Sequence, residues 1–266
     1  MNTIKKAAHI PLLLAACGIF AGCAKSIRSI SNSDYREHAA RYGYIGPDTS
    51  SDPAFEYKGE LSEFDVLGIS RSDITSEQEI NRALDHSRQL KIAPGSSVLL
   101  IQSGALFPDG PMVTELSKSL RVVPFSGVPP LRRGYNGNQT ESLDPQNFSK
   151  SLRLTAARGG NDFIVCYWGI LESGSEKLAT KTVSWVPVMN WIVPDEKQRA
   201  RIRLKVALIE VRTGNWAVFS PQPFDDARTS TSPRRDVVDQ KQVERLKKRA
   251  YEESARELVR LYASMK

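Results

Sequence analysis

The first 22 residues of this 266-residue chain restrict which part of it can form a folded body. Lys5 and Lys6 give the segment a positive start, and an apolar stretch over residues 10–20 follows. A stretch of this length suits a secretory signal peptide, whereas a membrane-spanning helix needs about 20 apolar residues. We therefore predict an export signal over residues 1–22. Because the mean hydropathy is -0.36 and no second long apolar run follows, the sequence excludes a protein with several membrane spans.

A cysteine ends this signal in a context of small residues. Residues 20–23, Phe-Ala-Gly-Cys, resemble the lipobox of bacterial lipoproteins, in which a cysteine takes a diacylglycerol thioether before cleavage. The resemblance implies that Cys23 becomes the lipidated first residue of the mature chain. Residues 14–17, Leu-Ala-Ala-Cys, make Cys17 the alternative, since leucine is commoner than phenylalanine at the first lipobox position.

Hydrophobic continuity favours Cys23 over Cys17. Cleavage before Cys17 would leave the apolar sequence Gly-Ile-Phe-Ala-Gly on the mature chain, whereas cleavage before Cys23 leaves the more polar Ala-Lys-Ser. Since Ala24 and not aspartate follows the cysteine, the same resemblance keeps an outer-membrane destination open. An ordinary cleaved signal and an uncleaved anchor are the remaining alternatives. We expect a lipid-anchored, palmitate-bearing protein of the bacterial cell envelope, in the outer membrane and facing the periplasm.

The net charge does not indicate nucleic-acid binding. It is +7 for the whole chain, and loss of Lys5 and Lys6 with the signal leaves +5. This excess is spread along the sequence, whereas nucleic-acid-binding domains concentrate it in a stripe with a recognisable motif. Solvated faces explain the basic clusters, and contact with anionic lipid headgroups or a cell-wall polymer is the alternative. The clusters lie at residues 132–133, 199–203, 234–235 and 247–249.

The mature chain divides into a tether, a body and a closing helix. Residues 23–60 mix Ser, Asp, Gly and Pro without a sustained period, which predicts a lipidated tether and a peripheral wrap. The body covers residues 61–266. We predict a single α/β domain of three-layer type, with a mixed sheet, flanking helices and a long C-terminal amphipathic helix.

Local patterns support this fold class. The continuous apolar run at 98–101, a helical run after Pro111 and a strand at 122–125 predict a β-α-β unit. A helix over 144–158 precedes an interior strand at 163–168. Alternation from residue 201 predicts a strand with one wet face, which the turn at 213–215 joins to 216–219 in a hairpin. Further helices are predicted at 77–90, where Ser76 and Glu79 fit a capping box, and at 237–264.

This order of elements, with the turn Arg-Thr-Gly-Asn-Trp at 212–216, resembles a group of envelope lipoproteins. It is similar to the α/β domain shared by the curli-secretion lipoprotein, lipoprotein activators of penicillin-binding proteins and the amino-terminal domain of the Tol-system propeller protein. The resemblance covers roughly residues 95–265. It implies a non-enzymatic envelope protein that acts by docking.

The residue types that catalysis needs are scattered. Once the signal is removed, His38 and His86 remain, and neither has a cysteine or carboxylate at metal-ligand spacing. Ser103 follows a buried strand, but Ile101 stands where a nucleophile elbow needs glycine. Cys166 lies in an apolar strand without a cationic neighbour that would lower its pKa. We therefore predict no catalytic residue, no metal site and no cofactor.

A hydrolase is the alternative function. A lipid-anchored enzyme acting on peptide or cell-wall bonds would need groups distant in sequence to converge. Ser103 or Cys166 would have to meet His86 in a deep pocket.

One stretch of the body suits an interface. Residues 183–194 contain Trp185, Met189 and Trp191 together with two prolines, and Trp and Met are enriched at interfaces. An edge strand and loop folded onto the core is the alternative. We predict that these three residues contact an unknown envelope protein, so that the chain scaffolds or regulates a periplasmic or outer-membrane complex. The other expected partner is the membrane, reached through the N-terminal lipid, and a homo-oligomer is a further alternative.

Overall fold

The computed structural model describes residues 25–32, 59–70, 75–87, 89–129, 145–177, 196–230 and 235–263. Within these ranges the chain forms seven strands, five α-helices and a 3-10 turn at Ile30–Asn32. The strands are β1 (Lys25–Ser29), β2 (Ser97–Gln102), β3 (Arg121–Phe125), β4 (Phe163–Lys177), β5 (Glu196–Glu210), β6 (Trp216–Phe219) and β7 (Phe224–Ser230). The helices are α1 (Glu63–Leu67), α2 (Glu77–His86), α3 (Gly110–Leu116), α4 (Pro145–Arg158) and α5 (Arg235–Tyr262).

Two long antiparallel strands form the centre of the sheet. β4 and β5 stay in register over fifteen residues, from Phe163 opposite Glu210 to Lys177 opposite Glu196. Shorter strands flank the two halves of each long strand. β2 lies parallel to one half of β4 and β1 antiparallel to the other, while β6 and β7 flank the two halves of β5. β3 pairs in parallel with β2, so the sheet is mixed.

The parallel part of the sheet confirms the predicted β-α-β unit and contains a change of direction. β3 lies on one side of β2 and β4 on the other. The chain therefore passes from β2 through α3 to β3 on one side, and then through α4 to β4 on the other side of β2. Such a reversal opens a crevice at the carboxyl ends of the strands, where α/β proteins commonly place polar groups.

Helices cover both faces of the sheet, as the predicted three-layer fold requires. α3 and α5 pack on one face, in a core cluster that includes Leu100, Val165, Leu204, Met112 and Leu246. α1 and α4 pack on the other face, in a cluster that includes Ile101, Ile164, Val66, Leu152 and Ala156. The alternation is confirmed on one side of β5, where Ile202, Leu204, Val206 and Leu208 are buried. The other side is wet only in part, because Arg201 and Arg203 are exposed whereas Ala207 and Ile209 are buried.

The structure differs from the sequence predictions in three elements. β1 lies within residues 23–60, whose sequence predicts a tether and a wrap. β7 occupies a polar segment that lacks the apolar alternation by which strands are recognised. α2 has the predicted capping box at Ser76 and Glu79, but it ends at His86. Ser87 is extended and directs both its N–H and its hydroxyl to the Leu84 carbonyl, so Leu90 is buried outside the helix.

Within the described ranges, no helix is both long and apolar enough to cross a bilayer. The boundaries of the signal and tether stay predictions, since residues 1–24 and 33–58 lie outside those ranges.

Candidate functional site

The residues predicted for lipidation and docking lie outside the described residues. They are Cys17, Cys23, Trp185, Met189 and Trp191. The strands β1 and β4, which lead toward these residues, are paired with each other. β1 begins two residues after Cys23, and Lys25 lies opposite Gly174, three residues before β4 ends. The chain therefore leaves the sheet toward Cys23 and toward residues 178–195 at the same end.

The N-terminal strand is joined to the core through the residue that follows it. Ile30, which follows β1, is only 1% exposed and belongs to the cluster beneath α5. It packs beside Gly169, where a Cβ atom would lie 2.8 Å from Cγ2 of Ile30 and 2.7 Å from Cδ2 of Leu204. The hydroxyl of Ser31 donates to the carbonyl of Ser103 at 2.7 Å. β1 is thus an integral strand of the body.

A group of buried polar side chains lies where β2 ends, at the change of direction in the sheet. We call it the buried polar cluster, and its members are Gln102, Asp109, Tyr167, Lys247 and Tyr251. The phenols of Tyr167 and Tyr251 donate to Oε1 of Gln102 and to Oδ2 of Asp109, each at 2.6 Å. Gln102 also joins Asp109 through two contacts, since it donates from Nε2 at 3.2 Å and accepts the Asp109 N–H at 2.8 Å.

Burial and charge keep the phenol of Tyr167 protonated within the buried polar cluster. Nζ of Lys247 lies 3.8 Å from Oδ2 of Asp109, and both side chains are 10% exposed. Burial, and then the charge of Asp109, raise the pKa of Tyr167 well above its usual range. The rings of Tyr167 and Tyr251 meet edge to face at 5.7 Å. Because the donors and acceptors of the cluster pair with one another, the cluster stabilises the packing of α5 on the sheet.

No motif in the sequence marks these five residues as a group. A weak signal exists, because Gln102 and Asp109 follow a buried parallel strand, and Lys247 and Tyr251 are four residues apart on the apolar side of α5. Their meeting depends on how the helix docks on the sheet. Local sequence patterns do not encode that information.

The structure gives each of the three groups considered for a hydrolase a different environment. The hydroxyl of Ser103 accepts the Leu61 N–H at 2.9 Å, beneath the segment that leads to α1. Cys166 is fully buried, and burial raises the pKa of its thiol, which keeps it protonated. His86 is exposed and its Nδ1 lies 2.7 Å from the Arg82 carbonyl on its own helix. Among the described residues, no hydrogen bond joins these three side chains.

Glu63 and Asp225 take part in surface ion pairs. Glu63 contacts Lys205 at 2.8 Å, and Asp225 contacts Arg201 at 2.5 Å. In the part of the chain that the structure describes, no group of three or more His, Cys, Asp and Glu residues could hold a metal ion.

Comparison with known proteins places the chain in a family. No curated protein matches it. Residues 62–261 match the family described as YafT bacterial lipoprotein. This match covers about three quarters of the sequence, from the residue before α1 to the penultimate residue of α5. The chain therefore belongs to the YafT bacterial lipoprotein family.

Proposed function

We propose that this protein is anchored in the bacterial envelope by acyl chains on Cys23 and acts by docking, as a non-catalytic scaffold or regulator of a periplasmic or outer-membrane complex. One observation carries the proposal. In a chain of a lipoprotein family, a strand that pairs with β4 and is followed by the buried Ile30 begins two residues after the cysteine of a lipobox-like sequence. Lipidation at this position would attach the folded body to the bilayer with almost no intervening linker.

The environments of the reactive groups favour docking over hydrolysis. A serine whose hydroxyl is bonded to Leu61 and a protonated, buried thiol at Cys166 are poor nucleophiles. The likeness to curli-secretion and penicillin-binding-protein-activator lipoproteins implies the same mode of action.

Labelled-palmitate incorporation tests the anchor. The natural chain, Cys23→Ser, Cys17→Ser and the control Cys166→Ala are expressed in a bacterial host and fractionated. We expect label and membrane retention in every variant except Cys23→Ser. Loss of label only in Cys17→Ser would move the anchor to that residue. A natural chain that takes no label would overturn the lipoprotein function.

Cross-linking tests the docking residues. We propose that Trp185, Met189 and Trp191 contact the partner. The Trp185→Ala/Trp191→Ala double variant should therefore lose its cross-linked species while keeping its circular dichroism spectrum. Trp216→Ala, which removes an exposed tryptophan of β6, should keep them. A folded double variant that retains every cross-linked species would show that the partner binds elsewhere. Native mass measurement shows whether the partner is a second copy of this chain.

A further inference from the structure

One face of the sheet is open at the end where β1 lies. α1 and α4 cover this face beside β2, where Ile164 and Cys166 are buried. Farther along β4, Ile170 is 36% exposed, and Ile27 opposite Glu172 is 68% exposed. Paired residues of antiparallel strands share a face, so the register defines the members of this surface. We call it the open sheet face, and its members are Ile27, Ser29, Ile170, Glu172, Arg199, Arg201, Arg203, Asp225 and Ala227.

Covalent geometry holds Cys23 beside this face. Two peptide units separate it from Lys25, so the two Cα atoms lie within about 7.6 Å of each other. From Lys25 a row of paired residues runs across the sheet through Gly174 and Arg199 to Ala227. Three strand spacings of about 4.8 Å make this row about 14 Å wide. Every position in the row is therefore within about 22 Å of the anchoring residue.

The side chains of the open sheet face suit a phospholipid interface. Arg199, Arg201 and Arg203 lie on alternate positions of β5, and the side chains of Arg201 and Arg203 are 44% and 51% exposed. A guanidinium has five donors, and the ion pairs of Arg201 with Asp225 and of Arg203 with Glu172 leave donors on these two side chains that can reach lipid phosphate. The exposed Ile27 and Ile170 add apolar contact at the depth of the headgroups.

We propose that the open sheet face is a membrane-contact surface, which rests on the phospholipid headgroups of the bilayer that holds the acyl chains of Cys23. This inference depends on the proposed lipidation of Cys23. A headgroup layer is only about 5–8 Å thick, so an anchor two residues from β1 keeps this end of the sheet at the bilayer surface. α5, on the opposite face, then points into the aqueous compartment, where its outer surface is accessible to partners.

Spin-label accessibility in the intact lipoprotein tests the contact. Single cysteines are introduced at Ala227 on the open sheet face, at Glu244 on the outer side of α5 and at Ser119 at the far end of the sheet. All three positions are exposed. Ser119 precedes β3 at the end of the sheet where β4 begins with Phe163. Gly174, in the row that includes Ala227, is eleven residues farther along β4, a distance of about 36 Å. Buried Cys166 stays unlabelled because its thiol is inaccessible and protonated.

The labelled proteins are reconstituted in nanodiscs of phosphatidylethanolamine and phosphatidylglycerol, and collisions with oxygen and with a water-soluble nickel chelate are compared. We expect the oxygen-to-nickel ratio at Ala227→Cys to exceed that at Glu244→Cys and Ser119→Cys several-fold. Equal ratios at all three sites, in protein whose Cys23 is shown by mass to be acylated, would overturn the contact and leave the proposed function standing. Protein without acylation at Cys23 would overturn the proposed function itself.

Discussion

Ile30 occupies the space beside Gly169 that a side chain at position 169 would need. At this residue β4 passes from pairing with β2, which ends at Tyr167, to pairing with β1, which begins at Ile170. The missing side chain lets the turn after β1 enter the core between the two partner strands. The segment next to the lipobox-like cysteine is thereby fixed to the body through packing as well as through backbone pairing.

Gly169→Ala should destabilise the fold. The new methyl would approach the branched side chain of Ile30 within 3 Å, and overpacking of this kind costs about 1–3 kcal/mol. Urea unfolding followed by circular dichroism measures the change. Ser26→Ala, an exposed substitution on β1, serves as control and should stay within about 0.5 kcal/mol of the natural chain. Equal stability of Gly169→Ala and the control would show that Ile30 is not held in this space.

Tyr251→Phe should destabilise the attachment of α5. The substitution removes the hydrogen bond to Asp109 and leaves a nearly buried carboxylate with one donor fewer, at a cost of about 1–3 kcal/mol. Tyr262→Phe, near the end of the same helix and only partly buried, is the matched control and should change the unfolding free energy much less. If both variants unfold at the same urea concentration as the natural chain, the buried polar cluster does not stabilise the helix.

Alkaline pH should weaken the fold through Tyr167 and Cys166. Burial raises both pKa values in the folded state, so the unfolded chain releases these protons at lower pH than the folded chain does. Their stabilising contribution is present below the unfolded pKa values and is lost as pH rises toward the folded ones. Above about pH 9 the unfolding free energy should fall by about 1.4 kcal/mol per pH unit for each group ionised only in the unfolded state.

Cys166→Ala isolates one of these contributions. Urea unfolding at a series of pH values should show a shallower decline for the variant between about pH 9 and 10, since the cysteine ionises first in the unfolded chain. The difference in unfolding free energy between the variant and the natural chain at neutral pH is subtracted at every pH. An identical slope in the variant and the natural chain would contradict the assigned origin of the effect.

Removing the arginines of the open sheet face should weaken its membrane contact. In the Arg201→Gln/Arg203→Gln variant, Asp225 and Glu172 lose these ion-pair partners, and their charges repel anionic headgroups. The oxygen-to-nickel collision ratio at Ala227→Cys should then fall toward that of the controls. Lys241→Gln/Arg245→Gln, which changes the charge equally on exposed positions of α5, should leave the ratio high.

Local patterns were sufficient to predict much of the fold. The apolar run of β2, the alternation in β5 and the capping box at Ser76 each depend on neighbouring residues, so they can be recognised in one sequence. The hairpin after Thr213 follows from its turn residues, with Gly214 at a φ of 80°. Each of these signals predicts its element, although α2 ends four residues earlier and β5 begins five residues earlier than predicted.

The elements that tertiary contacts determine could not be predicted in this way. β1 contains one large apolar residue, Ile27, and that residue is exposed, so its strand character comes from pairing with β4. β7 depends in the same way on β5. The buried polar cluster joins Asp109 to Tyr251, which are 142 residues apart, and only the docking of α5 brings them together. The predicted signal, by contrast, is a local pattern, and it gives the strongest support from the sequence for the proposed function.

The intact mass of the mature protein, purified from bacterial membranes in detergent, tests the central claim most directly. The account predicts a chain that begins at Cys23 and carries the added mass of a diacylglycerol thioether, with fragmentation placing that mass on the first residue. A mature chain that begins at Cys17, or one that retains residues 1–22 without acyl groups, would contradict it.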